Sequence, residues 1–197
     1  MLSKNKVKTF QIAFLFCVLL KASLHAQNDK SVHYKFNETD SSYSFYGSFL
    51  VKAKPDCILN ICFNQEHIKE LAAEAKNVEL LKEGINWNIM RYTYQKLIYF
   101  ESKSVWYRTI DKEKQRIEFK MLSSKNSHEI MPKMLFSSGY YQLKKVGEYT
   151  QVEYHQQCQL NKVSLTKFQI LFVKKSAVKV MQRFKKYMNQ YCGCTTQ

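Results

Sequence analysis

The side chains in this sequence best suited to chemistry are its aromatic ones, 13 Tyr, 13 Phe and 2 Trp. A tyrosine joins an apolar ring to a hydroxyl, which suits a cavity that must hold a greasy molecule and orient one polar group on it. Trp87, Tyr92, Trp106, Phe119, Tyr141, Tyr154, Met181 and Phe184 are the candidates for the wall of such a cavity. The competing role for each is ordinary core or a cross-strand pair. Catalytic chemistry is poorly supplied. There is no Gly-rich phosphate loop, no Gly-x-Ser-x-Gly elbow and no His-Glu-x-x-His metal helix. Of the histidines, His25 leaves with a leader, His33 lies in a linker, His67 is assigned to the exposed side of a helix, His128 to a loop and His155 to a strand. On that strand Glu153, His155 and Gln157 share one side and Val152, Tyr154, Gln156 and Cys158 the other. A Glu153–His155 acid-base pair would therefore face solvent. No catalytic residue, metal site or cofactor is expected.

The cysteines depend on the compartment. Lys4, Lys6 and Lys8 precede the apolar run Phe10 to Leu20, which ends in Leu24, His25 and Ala26. This is the n-region, h-region and small-residue exit of a secretory signal peptide, with cleavage expected after Ala26. The run is shorter than the about 20 residues a spanning helix needs, and a retained N-terminal anchor is the alternative. Export puts the protein in a periplasmic or secreted setting. Beyond Cys17 remain Cys57, Cys62, Cys158, Cys192 and Cys194, an odd number that leaves one thiol free or paired between chains. Cys57 and Cys62, five apart on one helix, point away from each other. Cys192-Gly193-Cys194 reads as two thiols on a frayed tail, since no nearby His or further Cys completes a metal set.

Charge sets the range of partners. The chain has 31 Lys plus Arg against 16 Asp plus Glu; without Lys4, Lys6, Lys8 and Lys21 of the leader, 27 basic residues remain and the net charge is +11. Such a field attracts anionic head groups, acidic polysaccharide or nucleic acid. The lysines are spread over most elements, as on a solvated surface, and export argues against nucleic acid.

These side chains must be positioned by a chain whose period changes twice. Residues 27–42 are polar and read as a linker. Tyr43 to Ala53 alternates as a strand, and Lys54-Pro55-Asp56 starts a short helix. Asn64 caps a second helix, Gln65 to Lys76. Strands follow at Val78 to Lys82, from Ile85 to Gln95, and at Ser102 to Ile110, Arg116 to Ser123, Met134 to Lys145 and Tyr149 to Leu160. Close turns at Asp111 to Lys114 and Val146 to Glu148 make neighbours antiparallel. Ser164, as N-cap, opens a long helix to Tyr191. Its stripe is Ile170, Val173, Ala177, Val180, Met181, Phe184, Met188 and Tyr191, and its first turns are apolar all round. The fold class is α+β, with six to seven antiparallel strands curved around a terminal helix.

In this order the chain resembles the START/SRPBCC superfamily, the helix-grip fold shared with polyketide cyclase-like and Bet v 1-like proteins. The resemblance is carried by Val51-Lys52-Ala53-Lys54-Pro55, by Leu80 to Gln95 around Trp87 and Tyr92, and by Ser104-Val105-Trp106-Tyr107-Arg108. Gly139-Tyr140-Tyr141-Gln142-Leu143, Tyr149 to Tyr154 and the terminal helix complete it. It covers roughly Tyr43 to Tyr191, within a START-like domain spanning residues 43–192 that a tail, 193–197, follows. START-type chains often carry an Arg-Asp pair where this one has Ser102-Lys103-Ser104, and an Asp-Pro-Gly-Gly-like turn where it has Leu160-Asn161-Lys162-Val163. The resemblance implies a cavity for a lipid or other hydrophobic molecule beneath the terminal helix. The alternatives are a cyclase- or hydrolase-like enzyme on the same fold, and a basic surface module for anionic membrane or polysaccharide.

Overall fold

A computed structural model describes residues 32–39, 41–72, 75–96, 100–126, 134–161 and 167–192. The leader, His128, Ser164 and Cys194 lie outside the described residues. Eight antiparallel strands form one sheet: β1 (His33–Glu38), β2 (Ser42–Val51), β3 (Asn77–Gly84), β4 (Trp87–Lys96), β5 (Phe100–Asp111), β6 (Arg116–Asn126), β7 (Met134–Val146) and β8 (Tyr149–Leu160). Their order is β1-β2-β8-β7-β6-β5-β4-β3. The helices are α1 (Pro55–Phe63), α2 (Gln65–Leu71) and α3 (Lys167–Cys192). Because β2 lies near one edge of the sheet and β3 forms the other, α1 and α2 bridge its width.

Period-two patterning gives the sheet an inner face. Phe45, Phe49 and Val51 of β2 and Val152 of β8 are buried together with Ile117, Leu143 and Ile58. From α3 this core receives Met181, Phe184, Met188 and Cys192, the spacing of one helical stripe. Gly47 allows the close approach: a Cβ there would lie 2.9 Å from Met181 Cε. A smaller cluster, Ile68, Val78 and Met90, joins α2 to β3 and β4.

Local chemistry sets the corners. Pro55 and Asp56 open α1, and Asn64 Oδ1 accepts from Glu66 N at 2.8 Å to cap α2. Thr150 Oγ1, fully buried, donates to Ala53 O at 2.6 Å and ties β8 to the β2–α1 corner. Gly147, with φ at 59°, takes the first central place of the two-residue β7–β8 turn.

Several expectations are corrected. The polar segment 27–42 holds a strand: β1 pairs with β2, and Phe36 stacks on Tyr43 with ring centroids 5.5 Å apart. Two aromatic residues, Tyr34 and Phe36, suffice to anchor it among polar neighbours. The second helix stops at Leu71, because Asn77 onward is taken up in pairing with β4. Ile85 is 96% exposed in the β3–β4 turn and does not begin a strand. On α3, Leu171 and Tyr191 are exposed, so the first turns are not covered all round and the stripe ends at Cys192. Cys192 does not fray. It is bonded to Cys57, with Cα atoms 6.0 Å apart and a sequence separation of 135, joining the first turn of α1 to the last of α3. Cys62 and Cys158 are free and buried.

Candidate functional site

Between the inner face of the sheet and α3 lies a cavity of about 260 Å³. An engineered apolar cavity of about 150 Å³ suffices for benzene, so this one has room for a larger molecule. Its floor comes from the sheet: Tyr92 and Tyr94 on β4, Trp106 and Arg108 on β5, Phe119 on β6, Tyr141 on β7, and Tyr154 and Gln156 on β8. Cys62 of α1 and Ile68, Leu71 and Ala72 beside it close one side, and Val180, Arg183 and Phe184 of α3 form the roof.

Six of the eight wall candidates meet here: Tyr92, Trp106, Phe119, Tyr141, Tyr154 and Phe184. Five of the rings form one continuous set, and Tyr92 stacks on Tyr94 beside them. Phe119 contacts Trp106 at 5.9 Å, Tyr154 at 5.8 Å and Tyr141 at 5.7 Å, and Tyr141 stacks on Phe184 at 5.6 Å. Trp87 is not among them. It falls on the opposite parity of β4 from the buried Asn88 and Met90, and stacks on Tyr107, 6.0 Å away, on the outer face. Met181 is 1% exposed but packs over β2 in the filled part of the core, one position round the helix from Val180. Sequence reasoning missed Tyr94, Gln156, Arg108, Arg183 and the α1–α2 residues. Tyr94 and Gln156 had a usable signal, being two residues on from Tyr92 and Tyr154.

Hydrogen bonds hold the polar tips in order. Tyr154 donates its hydroxyl to Gln156 Oε1 at 2.7 Å, and Gln156 Nε2 donates to Ser137 Oγ at 3.0 Å. Ser137 continues to Cys158 at 3.0 Å. Trp106 Nε1 donates to Ser104 Oγ at 2.8 Å. Arg108 is 5% exposed. Its Nη2 donates to Cys62 O, its Nη1 lies 3.3 Å from Met90 Sδ, and the guanidinium sits 5.5 Å from the Phe63 ring. Asn88, directly opposite Arg108 across β4 and β5, donates to Phe63 O at 3.3 Å. Thus α1, with no basic residue in its last turn, takes its C-terminal cation from the sheet.

Burial sets the protonation of the wall. It pushes the Cys62 thiol up to about 12, the nearby charge of Arg108 offsetting only part of the effect. Tyr141 and Tyr154 are held well above the usual phenol range, and Tyr92 is raised, in each case chiefly by desolvation. These groups are neutral at physiological pH. Among the described residues, no Asp, Glu or His lines the cavity. The described residues contain no group of three or more His, Cys, Asp or Glu that could hold a metal ion.

The outer face carries a groove of about 430 Å³ beside Tyr107, Arg116, Lys120, Tyr140 and His155. His155 stacks on Tyr140, while Glu153 pairs with Lys144 at 3.0 Å, so the two act separately. Arg116 covers the Tyr140 ring at 3.9 Å and bonds Glu118 at 2.8 Å. His67 is not on an exposed side: it bonds the Tyr187 hydroxyl at 2.8 Å, linking α2 to α3.

The fold is shared with solved structures. The STAR-related lipid transfer protein of Xanthomonas axonopodis is similar at a TM-score of 0.64 and 11% identity, over 83% of this chain and 96% of that one. The Zhui aromatase/cyclase of Streptomyces sp. R1128 is similar at 0.60 and 13% identity, over 83% and 99% of the two chains. Ginseng major latex-like protein 151 from Panax ginseng matches at 0.53 and 11%, over 77% and 97%. The chain has the helix-grip fold of the START/SRPBCC superfamily. No family model and no curated protein sequence matches it.

Proposed function

We propose that this protein binds a lipid or other hydrophobic molecule in the cavity under α3, without turning it over, after export by the leader at residues 1–26. The observation that carries the reading is the cavity itself, a space of about 260 Å³ walled largely by aromatic rings. Binding is favoured over catalysis because, beside the permanently charged Arg108 and Arg183, the wall carries the Cys62 thiol and the Tyr141 and Tyr154 phenols held protonated, which donate hydrogen bonds but take no proton near neutral pH. The Cys57–Cys192 disulfide supports export, since such bonds persist in oxidising compartments. Of the solved structures with this fold, one is named a lipid transfer protein, which supports binding, and another an aromatase/cyclase, which keeps catalysis as the alternative.

The test is direct. Organic extraction of the natively purified protein should release an apolar molecule, identified by mass spectrometry. The emptied protein should bind Nile red, a neutral apolar dye. Val180→Trp, which fills the roof, should weaken dye binding about tenfold or more while leaving the melting temperature nearly unchanged. Dye binding that is absent, or indifferent to that substitution, would remove the cavity as the site.

A further inference from the structure

Resting on that reading, the geometry points to a ligand with an anionic head, a carboxylate or phosphate, gripped by Arg108 and Arg183 while its apolar part lies among the aromatic rings. The two guanidiniums enter one cavity from opposite layers, Arg108 from the sheet and Arg183 from α3. Among the described residues, no carboxylate accompanies them in the wall. Glu79, Glu101, Asp111, Glu118, Glu148 and Glu153 form ion pairs with other bases.

A buried cation requires compensation, and the sources at hand fall short. Arg108 meets the C-terminal carbonyl end of α1 through Cys62 O, worth about half a negative charge in a helix of ordinary length. Met90 Sδ is a weak acceptor. Two of the five guanidinium N–H groups are used in these contacts. The thiol of Cys62 and the phenols of Tyr92 and Tyr141, which feel the Arg108 charge, stay neutral because burial outweighs it. Arg183 is less satisfied still: its Nη1 is buried with no hydrogen-bond partner. Two cationic donors, one of them orphaned, around an otherwise apolar space match an anion at the end of a greasy molecule, which each guanidinium can take in fork geometry. A neutral lipid would leave Arg108 with only the partial compensation of α1 and the Arg183 Nη1 without a partner.

Three ligands of equal chain length separate the ideas: hexadecanoate, hexadecyl phosphate and hexadecanol, each titrated against Nile red bound to the emptied full-length protein. Both anions, or one of them, should displace the dye at least about tenfold more tightly than the alcohol, as charge-assisted hydrogen bonds imply. The tighter of the two names the head. Arg183→Met should remove about tenfold of that preference and spare hexadecanol. Arg108→Met should do the same; because Arg108 also anchors α1, its fold is checked by circular dichroism, and the wild-type ratio with Arg183→Met decides if it unfolds. If hexadecanol binds as tightly as the anions, or if the variants weaken all three equally, the anionic head is wrong and the cavity stands. If neither the dye nor any of the three binds, the cavity reading falls, and this inference with it.

Discussion

Cys62 and Gly139 show how much single positions carry. The Cys62 thiol has an ordinary value of 9.0 and is pushed up to about 12 in the fold by burial. Between those values the unfolded chain has released the proton and the native chain has kept it, so the native state binds more protons and stability falls as pH rises. Unfolding in urea should show about 2 kcal/mol less stability at about pH 10.5 than at about pH 8 from this thiol alone. Tyr141 and Tyr154, raised in the same direction, steepen the loss at higher pH. Cys62→Ala should flatten the lower part of that slope; an identical slope in the variant would contradict the assignment. At Gly139 a Cβ would run into the His155 carbonyl and the Phe119 ring. Gly139→Ala should cost roughly 3 kcal/mol by overpacking, and a melting curve unchanged from wild type would refute the contact. Neither was legible in the sequence. Phe119, Tyr141 and Tyr154 were legible by their type, as aromatic side chains suited to a cavity wall, whereas Arg108 reads in sequence as one more charge after Trp106-Tyr107.

The helices hold the grip shut by two links. One is the Cys57–Cys192 bond and the other the His67–Tyr187 hydrogen bond, with Tyr187 and Tyr191 against each other at 4.3 Å. The disulfide closes a loop of most of the domain, so its removal should cost roughly 2–5 kcal/mol. Thermal melts of Cys192→Ala, and of wild type under reductant, should fall together; no shift in either would mean the bond is not formed. Tyr187→Phe should lose about 1 kcal/mol, the worth of one hydrogen bond. Element order was readable because each element announces its own period. The disulfide was not, since Cys57 and Cys192 are brought together by the docking of α3 on α1, a relation no local spacing contains. β1 escaped for the opposite reason: within 27–42 the alternation of Tyr34 and Phe36 is too brief to stand out from polar neighbours.

For the molecule as a whole the question is how an apolar ligand is reached from a strongly basic surface. From Gln27 onward the sequence carries 27 basic and 16 acidic residues, and exposed pairs such as Lys52–Glu148 and Lys114–Asp111 neutralise only part of the excess. Composition showed this charge, but not that two guanidiniums line the cavity while the described lysines are exposed or half-buried. The two populations should answer differently to salt. Exposed charges act over a distance that shrinks from about 14 Å to about 6 Å as ionic strength rises from about 50 mM to about 300 mM. Association with vesicles rich in anionic lipid, followed by sedimentation, should therefore weaken about tenfold or more across that range. Displacement of Nile red by hexadecanoate in the absence of vesicles should change by less than about threefold, because a desolvated pair is little screened. Vesicle binding that ignores salt would take the surface field out of the encounter. Hexadecanoate binding that collapses with the vesicle term would move the anion from the cavity to the lysines.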